Sequence, residues 1–228
     1  MQQREIKVRF LSLALAVTVV VPLFACSANA QRKAPIPAAK LDAPLVSKPG
    51  KETAVFAGGD FSGVEAVFRH VKGVSSVISG YAGGTAATAD HAMVGRGRTG
   101  HAESVRIIYD PAQVSYGKLL QVFFSVAHDP TQLDQQGPDV GKQYRSMIFT
   151  TDASESRVAK AYIAQLDKSK ALPRPIATQV LPLPAFYPAD SRFQNYAELN
   201  RAQPYVARYV QPRLTQLKED FPELYTDN

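Results

Sequence analysis

Asp60 stands where a chain can concentrate chemistry. It follows an apolar run, Ala54 to Ala57, and two glycines, Gly58 and Gly59, and it opens a segment in which Val64, Val67, Phe68 and Val71 recur at i, i+3, i+4 and i+7. A strand that turns through glycines into a helix N-terminus collects free backbone N–H groups around one point. A carboxylate there either caps the helix, worth about 1 kcal/mol, or acts as a nucleophile or base. Ser62 with Glu65 three residues on also fits a capping box. Two further carboxylates, Glu103 and Asp139, have the same ambiguity. Held close together they would push one pKa upward and keep a proton ready for donation. Apart, Glu103 is a strand-end charge and Asp139 a turn former. Tyr144 can donate a hydrogen bond, and His91 is either a donor or an ordinary exposed loop histidine. His70, His101 and His128 are scattered without paired spacing, so neither a metal nor a cofactor is expected. The one cysteine, Cys26, lies far up the chain, so thiol chemistry has no second partner within it.

These residues need a scaffold, and the hydrophobic periodicity supplies one. The run 54–57, the helix from Asp60 stopped by Gly73, and a strand from Val74 to Tyr81 form a first βαβ unit. Thr85 to Gly100 reads as a long loop, of the kind that often carries function. A strand from His101 to Tyr109, a helix from Ser115 to His128 and a strand from Arg145 to Thr150 form the second unit. Between the last two, Asp129 to Lys142 holds Pro130, Gly137, Pro138 and Gly141 and reads as irregular. A helix from Ala153 to Ser169 and a strand from Ile176 to Leu181 follow. The pattern predicts an α+β fold, a ferredoxin-like βαββαβ core with helices on one face of the sheet. From Pro182 onward, prolines 204, 212 and 222 break the chain into short helical or irregular pieces expected to form a long irregular C-terminal wrap over the sheet.

The chain has 228 residues and 45% hydrophobic content, enough for one core, placed at 52–228. Residues 1–30 read as a signal peptide: Arg4, Lys7 and Arg9, an apolar run from Phe10 to Ala25, and Ala28-Asn29-Ala30 as a cleavage site. Export to the periplasm or cell envelope is the expectation, with a lipoprotein anchored at Cys26 as the alternative. Residues 31–51, rich in Pro, Ala and Lys, read as a tether. Without residues 1–30 the formal charge falls from +6 to +4, with no block of like charge, which argues against nucleic-acid binding. Membrane contact is expected only through lipidation, and a monomer is expected.

The opening stretch resembles the peptide methionine-S-sulfoxide reductase family, type A (MsrA). Gly59 and Phe61 match that family's Gly-Cys-Phe-Trp turn, and Gly80-Tyr81-Ala82-Gly83-Gly84 matches a segment after its next strand. Gly97-Arg98-Thr99-Gly100-His101-Ala102-Glu103, His128-Asp129-Pro130-Thr131-Gln132, and Gly137, Asp139, Val140, Gly141, Gln143, Tyr144, Arg145 and Ser146 continue the match in order, over about residues 53–190. The resemblance implies a ferredoxin-like fold and oxidised methionine in peptides or proteins as ligand. It implies Glu103 as the acid that protonates the sulfoxide oxygen, Asp139 and Tyr144 as holders of that oxygen, and Phe61 as a wall for the substrate methyl group. It also puts Asp60 at the position of the nucleophilic cysteine, Ser62 at that of the second aromatic wall, and His91 at that of a further tyrosine. A reductase with an aspartate in place of its thiol is expected to be impaired in reduction while still binding methionine sulfoxide. The alternatives are an enzyme of changed chemistry that uses Asp60 and Glu103 as a carboxylate pair, or a non-catalytic envelope interaction domain.

Overall fold

The computed structural model describes residues 36–227, so the expected signal peptide, Cys26 and the first residues of the expected tether lie outside the described residues. Strand β1 (Glu52–Ala57) leads through Gly58 and Gly59 into helix α1 (Phe61–Arg69), and β2 (Val74–Ala82) returns. A short helix α2 (His91–Gly95) interrupts what reads in sequence as a continuous loop. Strand β3 (Ala102–Tyr109) precedes helix α3 (Tyr116–Val122), which widens into a π-type turn over Phe123–Ala127. A two-residue hairpin, β4 (Gln135–Gln136) and β5 (Asp139–Val140), gives regular pairing inside the stretch expected to have none. Strand β6 (Met147–Thr150), helix α4 (Ala153–Ser169), β7 (Gln179–Pro182) and β8 (Phe186–Pro188) follow, then helices α5 (Tyr196–Leu199) and α6 (Gln211–Asp220).

The architecture is α+β. Six strands form one sheet in the order β7-β6-β1-β3-β2-β8, antiparallel throughout except for the β6/β7 pair. Both faces of β1 are buried, which is why Ala54 to Ala57 reads as an unbroken apolar run. Ala54 and Phe56 point into the helical layer, where the Phe56 ring lies 4.8 Å from Phe123 and 5.6 Å from Phe68. Val55 and Ala57 pack with Met147 and Phe149 on the opposite side, partly covered by Leu183 and Phe186.

The C-terminal tail departs from the sequence expectation in two ways. It supplies an edge strand, β8, hidden in sequence because a three-residue strand between prolines shows no alternation. Its later part is largely helical and covers α1 rather than the sheet: Ala66 packs with Ala197, Val206 and Val210, while Val64, Val67 and Phe68 face the sheet side. Helix α1 is therefore sandwiched, and every residue from Phe61 to Phe68 is buried.

From Ile36 the segment expected as a tether lies along the domain. Gln121 Nε2 donates to the Ile36 carbonyl at 2.7 Å, the Tyr162 hydroxyl donates to the Pro37 carbonyl at 2.6 Å, and Asp42 accepts from Gly117 N at 2.8 Å, adding an acceptor at the start of α3. Local sequence could not show this, because the partners lie 75 to 125 residues away.

Candidate active site

The site is built around the turn from β1 into α1. Gly59 adopts φ +97°, and a Cβ there would fall 2.6 Å from the Gln136 side chain, so the residue before Asp60 must be glycine for the hairpin β4–β5 to close over the turn. Asp60 is the N-cap of α1: its Oδ1 accepts from Ser62 N at 2.8 Å and from the Ser62 hydroxyl. The expected capping box does not form. Glu65 instead accepts from Asn195 N at 2.8 Å and Ser79 Oγ at 3.1 Å, tying α1 to β2 and the tail.

A cavity of about 300 Å³ opens at this helix end. Five of the seven residues singled out in the sequence line it: Asp60, Phe61, Ser62, His91 and Asp139. Three more come from the tail, Phe193, Tyr196 and Tyr205, and sequence reasoning missed them. They sit in short proline-interrupted pieces with no period, and the only signal was a density of aromatics from Phe186 to Tyr209. His91 begins α2, whose N-cap Asp90 accepts from Ala92 N at 3.0 Å. Its ring lies 4.1 Å from that of Phe193, and its Nδ1 is buried without a hydrogen-bond partner.

Glu103 and Tyr144 are not in the cavity wall but bear on it electrostatically. Glu103 is only 1% exposed at the start of β3, and its Oε2 accepts from Phe61 N at 3.2 Å. Burial, then the Asp60 and Asp139 charges, hold its carboxyl well above the ordinary range against the opposing pull of that N–H. Asp139 accepts from the Tyr205 hydroxyl at 2.6 Å, yet burial and Asp60 leave its pKa raised. Tyr144 is pushed up to about 12 by burial and by the charges of Glu103, Asp139 and Asp60. The carboxylates that residue type alone could not place together therefore act on one another at one site, where burial and the Asp60 and Asp139 charges raise the Glu103 pKa. Arg213 from α6 is a further residue missed in sequence. Its Nη1 donates to the Ala127 carbonyl at 2.8 Å, and it opposes the rise at Asp139. His128 is structural: it bonds the Phe123 carbonyl and Ser146 Oγ, and burial lowers its pKa to about 3.

A raised carboxyl pKa is also a stability statement. Stability linked to protonated Glu103 is full below the ordinary carboxylate pKa of 4.5 and is lost as pH rises through the folded-state value. Glu103→Gln keeps an acceptor for Phe61 N and cannot ionise. Thermal melts from pH 4 to 8.5 should show a shallower alkaline decline for the variant than for the parent, and a higher Tm at the alkaline end by about 2–4 °C per kcal/mol recovered. Glu65, also raised by burial, leaves a residual slope in both. Identical slopes would mean that Glu103 ionises freely.

The chain as a whole is similar to known proteins. The family model for peptide methionine sulfoxide reductase matches residues 52–224. "Peptide methionine sulfoxide reductase MsrA 2" of Mesorhizobium japonicum is 54% identical over 179 residues, covering 78% of this chain and 92% of that protein. The MsrA of Chromobacterium violaceum is 44% identical, covering 76% and 98%. Among solved structures, methionine sulfoxide reductase A of Corynebacterium diphtheriae superposes with a TM-score of 0.58 at 33% identity, covering 68% of this chain and 77% of that one. Reduced Mxr1 of Saccharomyces cerevisiae superposes with a TM-score of 0.59 at 28% identity, covering 71% and 91%. On the span of the family match and the identity to these relatives, the chain belongs to the peptide methionine sulfoxide reductase family, type A.

Proposed function

We propose that this protein binds methionine-S-sulfoxide in peptides or proteins but does not reduce it. The observation that carries the reading is the cap of α1: a carboxylate, Asp60, occupies the cavity end of the helix, and beside it burial holds the Glu103 carboxyl well above its ordinary range. The relatives are named for reduction of peptide methionine sulfoxide, and the family resemblance of the sequence implies that Asp60 stands at the position of a nucleophilic cysteine. Reduction of a sulfoxide to a thioether takes two electrons. A thiolate supplies them by becoming a sulfenic acid and then a disulfide, whereas a carboxylate has no such oxidation available. Glu103 can still donate a hydrogen bond to the sulfoxide oxygen, Asp139 and Tyr144 can hold that oxygen or a water, and Phe61 can wall the methyl group. Ser62 in place of a large aromatic lowers the apolar contact, at about 0.8 kcal/mol per CH₂ left unburied.

The four strands β6-β1-β3-β2, antiparallel and bridged by α1 and α3, support the finer ferredoxin-like reading of the fold. Export through residues 1–30, soluble or anchored at Cys26, and a monomeric state belong to the same proposal.

Calorimetric titration with a blocked methionine-S-sulfoxide peptide tests it. Saturable binding is expected, stronger than for the thioether peptide, and weakening as pH rises and Glu103 loses its proton. No heat of binding at any pH would remove the sulfoxide reading and leave the interaction-domain alternative. The acid–carboxylate pair also favours a second reading. Glu103 gives one proton and solvent a second to the sulfoxide oxygen, which leaves as water as Asp60 attacks sulfur. A second water then attacks sulfur, displaces the Asp60 carboxylate and releases two protons, one of which returns to Glu103, to regenerate a sulfoxide. Nothing is oxidised or reduced overall, so the signature is oxygen-18 uptake from solvent or loss of chirality at sulfur without any thioether.

A further inference from the structure

We propose that the cavity at the N-terminus of α1 is also a binding site for a small methylated onium cation, an ammonium or sulfonium whose charge is sheathed in methyl groups. The walls are those such a cation needs. Phe61, Tyr196 and Tyr205 bring aromatic surface to a space of about 300 Å³, Asp60 and Asp139 bring carboxylates, and neither a lysine nor an arginine is among the lining residues. Aromatic faces attract cations through the ring quadrupole, most strongly where both are out of water. The Tyr205 hydroxyl donates to Asp139 at 2.6 Å, which fixes an aromatic ring and a counter-charge as one unit. The fourth aromatic, Phe193, already carries a cation: the Arg192 guanidinium carbon sits 4.8 Å from its centroid, beside Asp190. Asp60 acts on Glu103, Asp139, Tyr144 and Tyr205 in the same sense, raising each of them, so its field converges on this one place. Arg213 acts against the rise at Asp139 and at Tyr205 and partly offsets that field, but it is not among the lining residues.

Methylation is the preferred chemistry for a physical reason. A bare ammonium is strongly hydrated and needs its donors matched on entry, whereas a methylated cation presents apolar surface and keeps its charge. Besides its aromatic area and two carboxylates this cavity offers polar atoms only at Ser62, His91 and the tyrosine hydroxyls. Its onium reading uses no redox step and no thiol, so it stands apart from the sulfoxide reading, although both concern one cavity.

The test is titration of the full chain at low ionic strength with choline, with trimethylsulfonium, and with 3,3-dimethylbutan-1-ol, the uncharged carbon isostere of choline. At least one cation should bind saturably and about tenfold or more tighter than the isostere, and the cation preferred names the onium class. Asp60→Asn keeps the helix cap, since asparagine caps as well as aspartate, and should lower cation affinity several-fold at unchanged Tm. Equal binding of cation and isostere, or no saturable binding of either cation to folded protein, would overturn the proposal. Cation binding without sulfoxide binding would sink only the sulfoxide reading, and the converse would sink only this one.

Discussion

Asp60→Cys combined with Ser62→Trp is expected, on the reading proposed above, to raise turnover on methionine-S-sulfoxide in dithiothreitol from the protein-free background to a readily measured rate. The rest of the required constellation is in place around Asp60. Burial and its neighbours push the Glu103 pKa well up, Asp139 accepts from the Tyr205 hydroxyl, and Phe61 lines the cavity. A thiolate at position 60 would attack sulfur, take the oxygen as a sulfenic acid, and release the thioether; dithiothreitol would then reduce the sulfenic acid to thiol and water while becoming a disulfide. The helix N-terminus favours that thiolate, as N-terminal positions lower cysteine pKa values. Ser62→Trp restores a large apolar wall for the substrate methyl group. The single change Asp60→Cys should show the weaker activity, limited by KM. A folded double variant without activity would mean that the pocket has lost more than its nucleophile.

Phe68→Ala is expected to cause the largest loss of stability, about 3–5 kcal/mol, read as a fall in Tm of about 2–4 °C for each kcal/mol. Phe68 is fully buried on the inner face of α1, with its ring 5.6 Å from Phe56. Removing it leaves a cavity in the core cluster between helix and sheet, where Phe56 and Phe123 also lie. Ligand binding should fall with it, since α1 carries Asp60, Phe61 and Ser62. A loss under about 1 kcal/mol, against the range for such truncations, would show that α1 is held chiefly by the tail. Thermal or denaturant unfolding of parent and variant settles the point.

The legible parts of the chain were those governed by short-range periodicity. Val64, Val67, Phe68 and Val71 mark α1 and its inner face, and the helix from Ala153 to Ser169 is legible within its own boundaries because Val158, Tyr162 and Leu166 recur at a spacing of four. Asp60 as a helix cap followed from residue type and position alone. What local pattern cannot encode is what a segment finally packs against. Glu65 looked like half of a capping box, yet its partners are Ser79 and the backbone of Asn195, 130 residues away. Phe193, Tyr196, Tyr205 and Arg213 reach the site from a tail whose prolines erase any period, so nothing in their neighbourhood ties them to Asp60. The convergence of Glu103 and Asp139 became visible only through matched motifs, since a strand-end glutamate and a turn aspartate are individually commonplace.

Electron supply at position 60 is tested most directly by incubating the purified chain with a methionine-S-sulfoxide peptide and excess dithiothreitol, following thioether by chromatography and reductant by thiol titration. With Asp60 unable to take up oxygen as a thiolate would, thioether should stay at the level of the protein-free control and dithiothreitol should not be consumed. Thioether accumulating over many turnovers, in step with dithiothreitol oxidised, would contradict it.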